Sequence, residues 1–134
     1  MSEECAFVIF GATGNLALTK LLPALYHLDR ASHLEAGLRI LCCGRRPFTA
    51  EDWRAQVREA LAAKARGGLD LALFERFARR IEYFRGDLED AELYRRLGDK
   101  LATEGSGNVA FYMSVGPEHY GPVITRLGEA GLLD

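Results

Sequence analysis

Two glycines and two arginines carry the first chemical signal in this chain. Gly11 and Gly14 stand three residues apart in "FVIFGATGNLALTKLLPALYHL", between an apolar run and a stretch with helical spacing. A glycine at such a junction permits a tight turn, and a second lets the backbone approach a diphosphate closely. Free N–H groups at the start of the following helix, at the positive end of its dipole, would then bind the anion. Thr13 can donate its hydroxyl to a phosphate oxygen. The spacing Gly11-x-x-Gly14-x-x-Ala17 is a variant of the usual G-x-G-x-x-G/A dinucleotide fingerprint, although a turn that merely joins strand to helix would use the same glycines. No G-x-x-x-x-G-K-[ST] stretch occurs, which excludes a P-loop.

The arginines decide between cofactors. Gly44-Arg45-Arg46 closes a second apolar run, "LRILCC". In NAD-binding folds a carboxylate at the end of the second strand accepts from the ribose 2′-hydroxyl, whereas a nearby arginine accommodates a 2′-phosphate. Here no carboxylate follows until Glu51. Paired guanidiniums match the shape and charge of a phosphate dianion, so NADP is expected over NAD. A solvated arginine pair at a strand end is the bland alternative.

Strands and helices must alternate to place these residues. Runs at 5–10, 38–43, 81–86 and 109–115 read as strands; the first is continuously apolar, as expected where both sheet faces are covered, and the second reads as buried. Between them lie helical spacings. In the first, Pro23 implies a kink or a helix start no earlier than Thr19. The second begins at Thr49 with Asp52 three residues on, a cap signature. Asp70 opens a short helix to about Arg80, residues 89–104 form another, and a last one follows Gly116-Pro117. "EGSG" (104–107) reads as a loop. The pattern predicts an α/β fold of Rossmann-like, doubly wound type, a mostly parallel sheet with helices on both faces. After "GLLD" such a pattern would normally supply another strand.

Composition narrows the partners. The 134 residues are 49% hydrophobic and 27% charged with a formal net charge of -2. That fits one domain with a real core, residues 1–134. No face is broadly basic, so nucleic acid is not expected; Arg79-Arg80 and Arg95-Arg96 read as solvated helix faces. No apolar run nears the ~18 residues of a membrane span, and no signal peptide is evident. Cys5, Cys42 and Cys43 suit neither a disulfide framework nor a metal site, and read as buried thiols in a reducing, cytoplasmic setting.

Four ordered stretches together resemble one family, the glucose-6-phosphate dehydrogenases, in their N-terminal coenzyme domain. They are Gly11-Ala12-Thr13-Gly14-Asn15-Leu16-Ala17 with Lys20-Leu21-Leu22-Pro23-Ala24-Leu25, then Gly44-Arg45, then Gly86-Asp87 with Asp90, then Phe111-Tyr112-Met113-Ser114-Val115-Gly116-Pro117-Glu118-His119-Tyr120. Asn15 stands where the family has Asp, and Gly116 where it has the first of two prolines. The resemblance implies that Gly11 to Leu18, that is Gly11, Ala12, Thr13, Gly14, Asn15, Leu16, Ala17 and Leu18, wrap the NADP phosphates. It implies that Arg45 grips the 2′-phosphate with Arg46 beside it, and that Asp87 and Leu88 sit near the adenosine end. Tyr120 would line the cofactor cleft, and Lys20 would lie near the phosphorylated sugar.

The family's catalytic histidine lies in an R-I-D-H-Y-L-G-K stretch, and a lysine in E-K-P-x-G; neither motif occurs in these residues. His27, His33 and His119 read as ordinary surface or packing histidines. The expectation is therefore the NADP-binding domain of a longer two-domain enzyme that oxidises glucose 6-phosphate to the lactone. No catalytic or metal-binding residue is expected in this part, and turnover by it alone is not expected. Surface left uncovered would invite self-association. A free-standing NADP-binding sensor would use the same turn and arginines. A short-chain reductase needs Tyr-x-x-x-Lys, and none of the five tyrosines has a lysine four residues on.

Overall fold

The first apolar run forms β1 (Glu4–Phe10), the central strand of a sheet in which every pairing is parallel. A computed structural model describes residues 4–14, 16–34, 37–64, 68–103 and 106–132. In it β2 (Arg39–Gly44), β3 (Ile81–Arg85) and β4 (Ser106–Met113) complete the order β3-β2-β1-β4. The chain winds outward from β1 to β3, then crosses to the other side of β1 to place β4. In open α/β sheets the crevice beside such a reversal, at the carboxyl ends of the strands, is where ligands bind. Register aligns those ends: Phe10 pairs with both Cys43 and Met113, and Gly44 with Arg85.

Alternation along each strand divides the core into two layers. Ile9, Ile40, Cys42 and Ile81 face α1 (Leu22–Arg30), α2 (Ala50–Lys64) and α3 (Leu71–Ala78), packing on Leu22, Trp53, Val57 and Phe77. Ala6, Val8, Phe10, Leu41 and Cys43 face α4 (Ala91–Thr103) and α5 (Tyr120–Glu129), against Leu93, Tyr94, Leu97 and Leu127. Each fully buried large apolar side chain contributes roughly 1.5–3 kcal/mol. The doubly wound expectation is met. Over β4 the first layer is thin: Ala110 and Tyr112, paired with Phe7 and Ile9, are exposed, and Tyr112 stacks on Phe7.

Local chemistry explains the helix ends. Thr49 Oγ1 accepts from Asp52 N at 3.0 Å while Asp52 Oδ2 accepts from Thr49 N at 3.3 Å, a reciprocal box opening α2. Asp70 accepts from the N–H groups of Ala72 and Leu73 and caps α3. Three expectations change. Helical structure begins before Thr19, because a turn of π-helix at Ala17–Leu21 precedes α1 and sets Pro23 in its first turn, where a missing N–H costs little. β4 starts at Ser106, inside the expected loop, by pairing with Glu4. Cys5 is half-buried, unlike the other two thiols. Burial pushes the Cys42 thiol up to about 12 and Cys43 higher still, so neither is a nucleophile at neutral pH. No described helix is long and apolar enough to cross a membrane.

Arg79-Arg80 is not simply a solvated pair. Arg80 turns inward, its Nε and terminal nitrogen each 3.1 Å from Oδ1 of Asp29, which is 2% exposed on α1. Arg80 also donates to Leu38 O at 2.9 Å, and Arg76 donates to Asp29 O. This buried pair ties α1 to the start of β2 and the end of α3. Removing one partner of such a pair strands the other charge. Asp29→Ala is expected to lower unfolding stability by about 3–5 kcal/mol in urea titration; a loss below about 1 kcal/mol, the value of a surface pair, would contradict a clamp at this position.

Candidate cofactor cleft

The glycine turn is built onto the end of β2. Gly11 N and Ala12 N both donate to Cys43 O, at 3.1 and 3.0 Å, and Gly14 N donates to Gly11 O at 3.0 Å. Gly11 has φ +79°, and a Cβ there would collide with the Ser114 carbonyl oxygen and lie 2.7 Å from Val115 Cγ1. Both conformation and space therefore demand glycine. Ser114 N in turn donates to Phe10 O at 2.8 Å, so the turn is wedged between the ends of β2 and β4. The helical segment after it starts with no side-chain cap at Leu16. An uncapped start leaves backbone donors available to an anion.

The arginine turn touches the glycine turn at Gly44. A Cβ on Gly44 would lie 2.8 Å from Thr13 Cγ2 and 2.8 Å from the Tyr83 hydroxyl oxygen. Gly86 N donates to Gly44 O at 2.9 Å, Tyr83 OH to Arg46 O at 2.6 Å, and Arg85 Nε to Arg45 O at 3.2 Å. Three successive carbonyls are thus fixed by β3 and the residue after it. Burial, the largest influence, pushes the Tyr83 phenol up, which keeps it a donor. Arg45 and Arg46 are exposed, and their side chains pair with no described residue.

Two further segments close the cleft. Asp87 Oδ1 accepts from Glu89 N at 2.9 Å, shaping the loop after β3, and Leu88 O accepts from Tyr94 OH at 2.7 Å. Opposite, Ser114 is buried with a hydroxyl that has no partner among the described residues, and a 3₁₀ turn, Pro117–His119, leads into α5. The walls enclose about 330 Å³, within the usual size of a small-molecule site. A larger groove of about 790 Å³ runs between α4, α5 and β4, but no residue of either turn reaches it. The smaller cleft has the glycine turn, the guanidiniums and the topological position, so it is the candidate site.

A sequence profile of the family described as "Glucose-6-phosphate dehydrogenase, NAD binding domain" matches residues 8–134. The chain belongs to the glucose-6-phosphate dehydrogenase family. It is 37% identical over 131 residues to the glucose-6-phosphate 1-dehydrogenase of Dickeya dadantii, covering 98% of this chain and 26% of that one. To the enzyme of Mycolicibacterium smegmatis it is 37% identical over 136 residues, covering 98% and 28%. The crystal structure of glucose-6-phosphate 1-dehydrogenase from Mycobacterium avium superposes with a TM-score of 0.87 at 33% identity, over 98% of this chain and 28% of that one. A glucose-6-phosphate dehydrogenase in complex with its substrate gives a TM-score of 0.83 at 27% identity. The chain thus spans little more than a quarter of these relatives.

Within this glucose-6-phosphate dehydrogenase fold, Gly11, Thr13, Gly14, Arg45, Asp87 and Leu88 all line the cleft. Ala12 and Ala17 lie fully buried beneath the turn, and the Ala12 N–H is given to Cys43 O, so the two residues shape the turn and present no side chain to the cleft. Leu18 packs partly on the core, Leu16 is 54% exposed, and Arg46 is exposed beside Arg45. Asn15 falls outside the described residues. Lys20 is exposed on the π-helical turn, and Tyr120 opens α5; neither is part of the cleft wall. His119 stands in the wall instead, with Ser114, Val115 and Glu89. Register could have shown Ser114, which follows the Met113–Phe10 pair; His119 had no signal beyond its neighbours.

Gly11→Ala is expected to destabilise the chain by at least roughly 1–2 kcal/mol from the left-handed backbone alone, with the Ser114 collision adding to it. Thermal unfolding at an unchanged midpoint would show that the turn does not need this conformation.

Proposed function

We propose that this chain is the NADP-binding domain, residues 1–134, of a longer two-domain glucose-6-phosphate 1-dehydrogenase. The observation that carries the cofactor choice is at the end of β2, where two unpaired guanidiniums stand on carbonyls fixed by Tyr83 and Arg85. A ribose hydroxyl would call for a carboxylate there, and none is within the turn. Gly11 to Leu18 form the turn that receives the diphosphate, through those backbone donors not already given to the carbonyls of Cys43, Gly11 and Gly14, and Arg45 with Arg46 binds the 2′-phosphate. The Ser114 hydroxyl, without a partner among the described residues, and the cleft lined by Gly14 fit a bound dinucleotide. Asp87 and Leu88 flank the adenosine, and Tyr120 would meet the cofactor from the start of α5, outside the cleft wall. A bound nicotinamide would supply the acceptor for the hydride on C1 of glucose 6-phosphate.

This chain's own residues bind and orient that cofactor. They do not supply the base that takes the hydroxyl proton. His27 is exposed on α1, and His119 lies beside Glu118, its Nε2 3.6 Å from Oε1, with no aspartate in the family's pattern. Hydride transfer requires both reactants in near-attack geometry, and here only one is held. Lys20, exposed on the π-helical turn, would meet the phosphate of the sugar. Relatives that are enzymes throughout favour this reading over a free-standing sensor. The exposed face of β4 at Ala110 and Tyr112 is where the remainder of the longer protein, or a second copy, would pack.

Arg45→Ala should weaken NADP binding by about 1–3 kcal/mol, the value of a charge-assisted contact, while leaving NAD binding nearly unchanged. Calorimetry with equal losses for the two cofactors would remove the 2′-phosphate assignment. In the same preparation, glucose 6-phosphate should produce no rise in NADPH absorbance; turnover would place the catalytic residues inside this chain.

A further inference from the structure

Arg85 ends β3 and has no role in the site described so far beyond its bond to the Arg45 carbonyl. Tyr83 and Arg85 alternate onto the same face of the sheet and reach across to adjacent carbonyls, those of Arg46 and Arg45. Arg85 uses its Nε for that bond, at 3.2 Å, so its guanidinium lies against the backbone of the residue that bears the first phosphate-binding cation. The terminal nitrogens of Arg85 have no partner among the described residues, and the residue is exposed. Its own carbonyl accepts from Arg96 at 2.7 Å, and Arg96 lies over the Phe84 ring with 5.0 Å to the centroid, which anchors the strand end from the other side.

Three arginines, Arg45, Arg46 and Arg85, therefore stand at one end of two adjacent strands, on a chain whose net charge is -2. No carboxylate is paired with any of them among the described residues. The nearest acid in sequence, Asp87, turns its Oδ1 to the Glu89 N–H. Like charges gathered without a counterion repel one another, and a dianion placed among them relieves that repulsion. The diphosphate linkage, with a single charge on each phosphoryl group, needs no such cluster, because backbone donors at the start of the helical segment serve it.

We propose that Arg85 is a specificity-determining residue, a third cation for the ribose-borne phosphate and at once the brace that sets Arg45. This rests on the NADP reading above. The phosphate monoester would be met by side chains from two strands, β2 supplying two guanidiniums and β3 the third. Tyr83 is then a positioning residue only, acting through the Arg46 carbonyl.

The test is calorimetric titration of the chain with NADP and with NAD, for the Arg85→Ala, Arg85→Lys, Tyr83→Phe and Arg45→Ala variants, each checked for an unchanged melting profile. Arg85→Ala should lose roughly tenfold in NADP affinity, as for one charge-assisted contact, with NAD unaffected. The dependence of NADP affinity on salt should become shallower. Arg85→Lys should fall between, since it keeps the charge without the planar fork. If Arg45→Ala abolishes the preference for NADP and Arg85→Ala does not change it, the third cation is wrong and the NADP reading stands. If neither variant changes the preference, the NADP reading itself fails. Should Arg85→Ala fail to fold, Arg85→Lys and Arg85→Gln must separate in NADP affinity; equal affinities would overturn the proposal. Tyr83→Phe reproducing the whole loss would reduce Arg85 to a brace.

Discussion

The carbonyl of Cys43 accepts two N–H groups, from Gly11 and Ala12, and the rest of the cleft depends on that junction. Cys43 is the last buried residue of β2, one position before the turn that carries the guanidiniums. Its carbonyl therefore fixes the spacing between the glycine turn on one strand and the cationic turn on the next. In the parallel register Phe10 lies opposite Cys43, so both turns begin at the same height on the sheet. The two could not be brought together by the loops alone. They are brought together because two covered strands end in register.

Glycine enforces this closeness at two points, for different reasons. Gly11 needs a left-handed backbone beside the Ser114 carbonyl. Gly44 needs only space, since Thr13 and the Tyr83 hydroxyl both stand where a side chain would be. The packing beneath has a similar economy. Tyr83 lies 5.1 Å from Trp53 and 5.4 Å from Phe48, ring centre to ring centre, while its hydroxyl braces the arginine turn. One aromatic residue thus links the α2 layer of the core to the cofactor site.

Much of this was legible in the residues. Four runs of strand length and the helical spacings between them specify an α/β fold, and in the first of them burial on both faces leaves no alternation. The two glycines and the arginine pair mark the chemistry through backbone freedom and charge. What the sequence did not show depends on distance across the fold. Arg80 looks solvated beside Arg79 until α1 brings the buried Asp29 to it. The π-helical turn before Pro23 is a compromise between a helix that must start at the glycine turn and a ring that lacks an N–H. Arg85 reads as an ordinary strand-end charge, and only the β2–β3 register sets it on the Arg45 carbonyl. His119 reaches the cleft because a 3₁₀ turn follows β4.

The central claim is that guanidiniums at the end of β2 recognise a phosphate on the adenosine ribose. It is tested most directly by following the arginine Nε–H resonances of the labelled chain during titration with adenosine 2′,5′-bisphosphate and, separately, with adenosine 5′-monophosphate. The account predicts that the Arg45 resonance shifts and sharpens with the bisphosphate and stays in place with the monophosphate. An Arg45 resonance that responds identically to both, or to neither while the glycine-turn amides move, would contradict it.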